Sequence, residues 1–181
     1  FETDVLNEVL TIIKNNKFNI DGKGSIKLPP ELKKMKIKLG YSTYQLGVGG
    51  IHSTEKKQSI VASKDEHLID KDVEAYYPRI ILNLKLYPRH LGESFLHVYR
   101  DIVNARIKAK KEKNKVVNES LKIVINGSYG KLGNKYSCLY SPDLMIAVTL
   151  TGQLSLLMLI EKLEKNGIKV VSANTDGFVS I

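Results

Sequence analysis

The stretch Ile168-Lys-Val-Val-Ser-Ala-Asn-Thr-Asp-Gly-Phe-Val-Ser-Ile181 holds two short runs rich in β-branched and aromatic residues, one on either side of Asn174–Gly177. Two such runs around a turn signal predict a β-hairpin. Asp-Gly is a common signal for a hairpin turn, so a purely structural role accounts for Asp176 and Gly177 when they are taken alone. Whether Asp176 also has a chemical role depends on the segments that precede the hairpin.

The residues before the hairpin predict a long core helix over 142–165. Ser141-Pro142-Asp143 provides an N-cap residue followed by proline at the first helical position, and the helix is expected to end before Asn166-Gly167. A membrane span needs about 20 apolar residues, and no apolar stretch approaches that length. Polar residues interrupt the run, which ends in Glu161–Lys165. We therefore expect a buried core helix and no membrane contact.

The rest of the chain alternates between strand and helix patterns. His67–Val73 is extended in character and is expected to give way to a turn at Tyr76-Tyr77-Pro78, because proline disfavours helix in the residue before it. Strand, helical hairpin, long helix and β-hairpin follow one another, and this order predicts an α+β fold. The remaining predicted elements are helices over 6–13, 94–112 and 117–129, with loops and short strands over 19–50.

The composition is that of a globular domain with excess positive charge. The 181 residues are 43% hydrophobic and carry a formal net charge of +9. Six lysines lie between Lys23 and Lys38 against Glu31 alone, and eight Lys/Arg lie between Arg100 and Lys122 against three acidic residues. Clustered positive charge attracts polyanions, so nucleic acid is the natural partner. A solvated helix face is the common alternative explanation for a charge run.

The single cysteine, Cys138, excludes an intramolecular disulfide and a thiolate zinc site. It fits a reducing, cytoplasmic setting, and no signal peptide is recognisable. The chain begins at Phe1, and Phe178–Ile181 reads as a strand cut in mid-run. We therefore expect these residues to be part of a larger protein.

Asp72-Val-Glu-Ala-Tyr-Tyr-Pro78 places a carboxylate at the end of a predicted strand. Such an aspartate suits a hard cation like Mg²⁺, which prefers oxygen ligands and keeps some of its waters. A solvated aspartate is the alternative for Asp72 alone, and a packed aromatic is the alternative for Tyr77. Asp70 lies two residues earlier, on the same face of the strand, as a competing or supporting carboxylate.

Lys122, Asn126 and Tyr129 are spaced i, i+4 and i+7, so a helix places them on one face. A cation, an amide and an aromatic ring in this order suit a triphosphate at one end and a base at the other. Arg106 and Lys110 share a face of the preceding helix in the same way. An exposed, lysine-rich pair of helices is the alternative.

The predicted helical hairpin turns near Asn114. Arg106 and Lys122 then stand at the same height on neighbouring helices, where both can bind one phosphate chain.

Taken together, these segments resemble the family B DNA polymerases, particularly the phage and mobile-element members. Asp72–Pro78 is similar to the family motif D-x-x-S-L-Y-P, with Ala75 for Ser and Tyr76 for Leu. Lys122–Gly130 is similar to K-x-x-x-N-S-x-Y-G, with Gly127 at the first Ser. The resemblance runs from roughly Gly47 to Ile181, and the motifs stand in the family's order.

Further similarities are shorter. Asn174-Thr175-Asp176 is similar to D-T-D, and Arg106 with Lys110 is similar to the R-x-x-x-K pair of the fingers. Gly49-Gly50 is similar to a glycine pair upstream of the first motif. Thr149–Gln153 is similar to T-x-x-G-R, with Gln for Arg.

The resemblance implies template-directed DNA synthesis, in which deoxynucleotides pass from dNTPs to a primer 3′-hydroxyl by a two-metal mechanism. Asp72 and Asp176 would be the catalytic ligands of two Mg²⁺ ions, with the Val73 carbonyl assisting and Mn²⁺ as a potential substitute. Tyr77 would lie under the sugar and exclude a 2′-hydroxyl. The residues implied in nucleotide binding are Tyr77, Arg106, Lys110, Lys122, Asn126 and Tyr129, and those implied in DNA binding are Gly49, Gly50 and Gly130.

The resemblance also implies a palm-type antiparallel sheet backed by helices, with a helical-hairpin fingers insertion. Residues 1–93 would form the N-terminal part of the palm with a template-side loop and the first motif. Residues 94–133 would form the fingers, and 134–181 the palm helix with a truncated metal-binding hairpin. The implied partners are primer–template DNA, dNTPs and the rest of the polymerase chain, in the cytoplasm of a host cell if the source is a phage or mobile element.

Asn174 departs from the family pattern, because an amide is neutral and coordinates Mg²⁺ more weakly than a carboxylate. We expect activity to survive in the intact protein and this fragment alone to extend primers poorly. The alternatives are a polymerase-like nucleic-acid-binding domain that has lost catalysis and a plain basic binding module. Convergence of Asp72 and Asp176 favours the enzyme, and carboxylates on opposite sides of the fold would refute it.

Overall fold

The computed structural model describes all 181 residues, Phe1–Ile181. The helices are α1 Asp4–Asn15, α2 Pro30–Lys34, α3 Tyr76–Asn83, α4 Ser94–Lys111, α5 Lys115–Lys131 and α6 Pro142–Lys165. The strands are β1 Asn19–Ile20, β2 Ile26–Lys27, β3 Ile37–Leu39, β4 Ser42–Leu46, β5 Ile51–Ser53, β6 Ile69–Asp72, β7 Val170–Asn174 and β8 Gly177–Ser180. The α+β prediction is confirmed.

The longer elements follow the sequence predictions closely. The predicted helices over 6–13, 94–112, 117–129 and 142–165 are α1, α4, α5 and α6, and the C-terminal hairpin is β7–β8. The turn expected at Tyr76–Pro78 is wrong, because α3 begins there. Pro78 is the third residue of this helix, and proline is tolerated in the first helical turn, where its missing N–H has no intrahelical partner to lose.

The chain forms two compact units. Unit 1 comprises residues 1–19, 27–74 and 149–181, and unit 2 comprises residues 20–26 and 75–148. Each unit has its own hydrophobic core. The domain boundaries predicted from the sequence stay a prediction.

Unit 1 is built on a six-stranded antiparallel sheet with the order β3-β4-β5-β7-β8-β6. The β7–β8 hairpin thus lies between β5 and β6 although it comes last in the sequence. Ser42, Tyr44 and Leu46 alternate with less buried residues along β4, as expected for a strand with one face on a core. Tyr44 is 0% exposed and is the largest of the fully buried side chains.

The core of unit 1 lies between the sheet and the helices α1 and α6. Leu6 of α1 and Leu157 and Ile160 of α6 are fully buried with Ile51 and Val170 of the sheet. Burial of one such side chain stabilises the folded state by roughly 1.5–3 kcal/mol. This core supports the strands that carry the C-terminal hairpin.

Unit 2 is helical, and α4 and α5 form its hairpin. The side-chain oxygen of Asn114 accepts a hydrogen bond from the Val117 N–H at 3.2 Å, so Asn114 is the N-cap of α5. The predicted turn near Asn114 is therefore confirmed. The core of the unit contains Ile81 of α3, Tyr99 of α4 and Ile125 of α5.

Helix α6 corrects one prediction from the sequence. It is long and apolar enough to cross a membrane by length and composition alone, contrary to the expectation that no stretch approaches that length. Its apolar residues nevertheless contribute to the protein cores, with Leu144 and Val148 in unit 2 and Leu157 in unit 1. Ser141 was predicted as the N-cap residue of this helix. Its hydroxyl donates a hydrogen bond to the Asp143 carboxylate at 2.7 Å.

A buried carboxylate of α6 holds the start of α1. Glu161 is 1% exposed, and its Oε1 accepts hydrogen bonds from the N–H of Thr3 at 2.7 Å and from the hydroxyl of Thr3 at 2.5 Å. The Glu2 N–H lies 3.1 Å from Oε2. Burial by itself raises the pKa of Glu161, but these donors outweigh it, and the net pKa lies below the ordinary glutamate value.

We predict that Glu161→Gln lowers the free energy of unfolding by about 1–3 kcal/mol at pH 7, because buried donors lose a charged acceptor. A carboxyl whose pKa is lowered by folding stabilises the protein above its unfolded pKa, and this contribution is lost as the pH falls. The difference between wild type and variant should therefore shrink below about pH 4. Urea unfolding at several pH values measures it. Glu8→Gln, at an exposed position of α1, is the control, and an equal effect of both variants would contradict the prediction.

Candidate active site

Strand pairing in unit 1 brings the two predicted metal ligands together. Asp72 is the last residue of β6 and lies directly opposite Gly177, the first residue of β8. Beyond the strand, the Val73 N–H donates to the carbonyl oxygen of Asp176 at 2.9 Å. Residues paired across antiparallel strands have Cα atoms about 4.5–5.5 Å apart. Asp72 and Asp176 are therefore neighbours although they lie far apart in the sequence.

The turn between β7 and β8 consists of Thr175 and Asp176. The Asp176 N–H donates to the Asn174 carbonyl at 2.7 Å, and Thr175 has a φ of 55°. A positive φ is unusual for a β-branched residue, because its side chain crowds the backbone there. Such strain persists where surrounding contacts hold it, and it is found often at functional sites. The Thr175 N–H donates to the Ile51 carbonyl at 2.8 Å, which is one such contact.

Gly177 is required by a close contact and not by the turn. Its φ is not positive, and it belongs to β8. A Cβ atom at this position would lie 1.9 Å from Oδ1 of Asp72 and 2.8 Å from the Lys71 carbonyl oxygen. The predicted hairpin turn at Asn174–Gly177 is confirmed, but Thr175 and Asp176 form its centre and Gly177 is the first residue of β8. Sequence reasoning did not identify Gly177 as part of the site, and its position directly after Asp176 was the only signal.

The two carboxylates repel each other. Burial, followed by the negative charge of Asp72, raises the pKa of the Asp176 carboxyl above its ordinary value. Neither Asp72 nor Asp176 forms an ion pair with a lysine or arginine. Two like charges without a counter-ion lower the stability of the folded chain, and a cation between them would reverse this effect.

A cleft of about 320 Å³ opens at these residues. Asp72, Asn174 and Asp176 line it, as does Asp70, which the sequence places on the same face of β6 as Asp72. Asn174 is exposed, and its Oδ1 accepts a hydrogen bond from the Thr175 hydroxyl at 2.9 Å. The cleft therefore presents carboxylate and amide oxygens to solvent.

The donor set suits Mg²⁺, which takes oxygen ligands and often binds through one or two carboxylates while keeping several waters. No group of three or more His, Cys, Asp or Glu in the chain is placed to hold a metal ion. The cleft thus has two neighbouring carboxylates, Asp72 and Asp176, with Asn174 as a neutral neighbour. The Val73 N–H is bonded to the Asp176 carbonyl oxygen. The predicted role of the Val73 carbonyl as a metal ligand stays a prediction.

The two glycines predicted to approach a template strand differ in their surroundings. A Cβ atom at Gly50 would lie 2.8 Å from Oγ1 of Thr175, so Gly50 packs against the turn. A Cβ atom at Gly49 would meet nothing within 4 Å. Gly50 is therefore needed for the internal packing of unit 1, whereas DNA binding by either glycine stays a prediction.

Unit 2 carries the residues predicted to bind the nucleotide. Tyr77 stacks on Tyr129 with 4.6 Å between ring centroids. Lys122 and Asn126 are exposed on α5, and the Lys122 ammonium lies 3.8 Å from the carboxylate of Glu119. The structure thus brings the two aromatic residues into contact and leaves the cation and the amide accessible to solvent.

Arg106 and Lys110 of α4 have different environments. The Nε atom of Arg106 is buried and has no hydrogen-bond partner. Lys110 instead lines a cleft of about 260 Å³ at the turn of the hairpin, with Lys113 and Lys115. Gly130, predicted to bind DNA, is exposed near the end of α5, and a Cβ atom there would meet nothing within 4 Å.

Comparison with known proteins places the chain in a distant relationship to a DNA polymerase. DNA polymerase II of Escherichia coli (strain K12) is 30% identical over 101 residues, which cover 49% of this chain and 13% of that protein. No protein-family model matches the sequence. Because the match spans a small part of the relative, its activity is not carried over to this chain by the similarity alone.

We predict that Asp176→Asn raises the melting temperature in EDTA by roughly 1–3 °C, because it removes one of two repelling charges. Differential scanning calorimetry measures the change. Asp65→Asn makes the same change in net charge at an exposed loop position and is the control. A melting temperature for Asp176→Asn at or below that of the control would show that the two carboxylates do not repel each other.

Proposed function

We propose that the chain carries the carboxylate centre and the nucleotide-binding helices of a family B type DNA polymerase. The reaction is the transfer of a deoxynucleotide from a dNTP to the 3′-hydroxyl of a primer paired with a template. The partners would be primer–template DNA, dNTPs and further parts of a polymerase chain, in the cytoplasm. The distant relationship to a DNA polymerase supports the proposal.

One observation carries the proposal. Asp72 and Asp176 come from segments far apart in the sequence, yet the end of β6 and the turn before β8 bring them to one open cleft without a cationic partner. A plain basic binding module would not need two uncompensated carboxylates at one place. A carboxyl group with a raised pKa beside a second carboxylate in a cleft, as at Asp176, is a signature of functional sites.

Asp72 and Asp176 would hold Mg²⁺, or Mn²⁺ as a substitute. Two bound ions would supply charge neutralisation at the triphosphate and lower the pKa of the attacking hydroxyl. The fixed pairing of β6 with β8 orients the carboxylates before substrate arrives, so little reorganisation is needed. Gly177 leaves the space that the Asp72 carboxylate occupies.

The residues of unit 2 would bind the nucleotide itself. The buried Nε of Arg106 lacks a partner, and a phosphate oxygen is a suitable acceptor for a guanidinium donor. Lys122 adds a solvent-accessible positive charge on α5. The stacked rings of Tyr77 and Tyr129 form an apolar surface that suits a sugar or base, and Tyr77 would lie under the sugar.

A second candidate is a polymerase-like domain that binds nucleic acid and has lost catalysis. Asn174 favours it, because the position carries no charge and its side-chain oxygen is engaged by the Thr175 hydroxyl. The two candidates differ in their response to substitution of the carboxylates.

We predict that Asp72→Ala and Asp176→Ala each reduce Mg²⁺-dependent addition of one nucleotide to a primer by about a hundredfold or more, because each removes a charged ligand. The assay uses the 181-residue chain in excess over primer–template, since low processivity then does not limit the signal. Asp65→Ala is the control.

The assay also separates the candidates. Asn174→Asp restores a carboxylate, and a rise of about tenfold would correspond to roughly 1.4 kcal/mol of added stabilisation in the transition state. Undiminished addition by either alanine variant would remove that residue from the site. If both the wild-type chain and the Asn174→Asp variant bind DNA but add no nucleotide, the second candidate would be favoured.

We predict that Arg106→Ala raises the KM for the dNTP by about tenfold or more and lowers kcat less, because a charge-assisted hydrogen bond to phosphate is lost. Arg100→Ala on the same helix removes an exposed guanidinium and is the matched control. Equal kinetics of the two variants would exclude Arg106 from the triphosphate site.

A further inference from the structure

Gln153 is a buried polar residue of α6 with an unusual set of partners. It is 0% exposed, although glutamine is seldom fully buried. Its Oε1 accepts from the Gly47 N–H at 3.0 Å, and its Nε2 donates to the Gly47 carbonyl at 2.9 Å. One side-chain amide thus satisfies both backbone groups of one residue, and no apolar or purely anionic side chain of similar size could do so.

The loop that Gln153 holds is folded tightly on itself. A Cβ atom at Gly47 would lie 2.5 Å from the Gly50 carbonyl oxygen. Gly50 in turn is buried and packs on Thr175, where an added Cβ would lie 2.8 Å from Oγ1 and 3.0 Å from Cα. The backbone at Gly47 therefore packs closely against Gly50, and Gly50 packs against one side of Thr175.

Thr175 is held from two sides by this loop. Gly50 packs against its side chain and Cα, and the Ile51 carbonyl accepts its N–H at 2.8 Å. Its φ of 55° is strained for a β-branched residue and needs such support. Asp176 follows directly, so the conformation of Thr175 decides where the Asp176 carboxylate lies.

We propose that Gln153 is a positioning residue of the carboxylate site. Through Gly47, Gly50 and Thr175 it holds Asp176 beside Asp72, although it touches neither carboxylate. The inference rests on the proposed function of these carboxylates as metal ligands. It extends that function to a buried residue of the core helix, whose loss should weaken cation binding without weakening the fold as a whole.

Two variants of the 181-residue chain break the connection at different points. Gln153→Leu keeps the approximate volume and removes both hydrogen bonds to Gly47. Gly50→Ala leaves Gln153 intact and forces Thr175 to shift, and its backbone φ is not in the positive range. Gln45→Leu is the control, because Gln45 lies in the same sheet and its amide also donates to a backbone carbonyl, but to that of Lys33 instead of Gly47.

The first measurement is Mn²⁺ binding by isothermal titration calorimetry. We expect Gln153→Leu and Gly50→Ala to raise the Kd by about tenfold or more, as found for residues that orient metal ligands. Gln45→Leu should stay within about twofold of wild type. The second measurement is amide hydrogen exchange, in which the Thr175 N–H should exchange faster in the two variants while the amides of β3 and α1 keep their rates.

The outcomes separate a positioning role from a structural one. A folded Gln153→Leu variant with wild-type Mn²⁺ affinity would overturn the proposal, as would uniform acceleration of exchange across unit 1. If Gln153→Leu does not fold, Gly50→Ala decides by the same criteria. Wild-type and Asp176→Ala chains that bind Mn²⁺ equally would refute the proposed function instead, and the exchange rate of Thr175 would then decide the positioning role alone.

Discussion

The pairing of β6 with β8 is the constraint on which the site depends. It places Asp72 against Gly177 and extends past the strands through the Val73–Asp176 hydrogen bond. Because β7 and β8 are inserted between β5 and β6, the same sheet joins the end of the chain to its middle. The core beneath this sheet, formed with α1 and α6, fixes the strands, so the carboxylates do not have to find each other when a ligand arrives.

The site lowers the stability that this core provides. Asp176 and Asp72 carry like charges at close range, and burial adds to the rise in the pKa of Asp176. Thr175 adopts a positive φ beside them. The like charges destabilise the chain, and the positive φ of a β-branched residue adds strain in the turn between β7 and β8. A fold that retains such features has a use for them, because strain and unpaired charge persist where ligands or surrounding contacts offset them.

Much of the fold could be predicted from the sequence, because its long elements carry strong local signals. Apolar periodicity gave α4, α5 and α6 to within a few residues, and Asn114 marked the turn between the first two. The start of α3 was missed, since Pro78 is as compatible with a first helical turn as with a chain reversal. Glu161 belongs to the charged end of the predicted helix over 142–165, yet it is buried against the start of α1, a contact that no local pattern encodes.

The site was predictable only in part, because contacts between residues distant in the sequence leave no local pattern. The motifs around Asp72 and Asp176 suggested that they meet, and the strand register brings them together. The turn at Asn174–Gly177 was predicted, but the contact of Gly177 with Asp72 was not, because the dipeptide Asp-Gly does not show whether its glycine serves a turn or the approach of another side chain. The contacts of Gln153 with Gly47 join residues about a hundred positions apart, and hydrophobic pattern alone does not distinguish a buried amide from an exposed one.

The neutral side chain of Asn174 has a consequence for the proposed function. Under this proposal two Mg²⁺ ions would carry four positive charges, of which Asp72 and Asp176 would offset two. A third carboxylate at Asn174 would offset one more, but the amide does not. The remaining charge would have to be balanced by the triphosphate of an incoming nucleotide, since the cleft offers no other strong anion beside Asp70. A site of this kind holds its cations weakly until substrate arrives, so cation and nucleotide binding are coupled through charge. With fewer charged ligands, cation binding would depend more on the orientation of Asp72 and Asp176. That orientation is fixed by the pairing of β6 with β8 and by the Gly47–Gly50 loop that packs against Thr175.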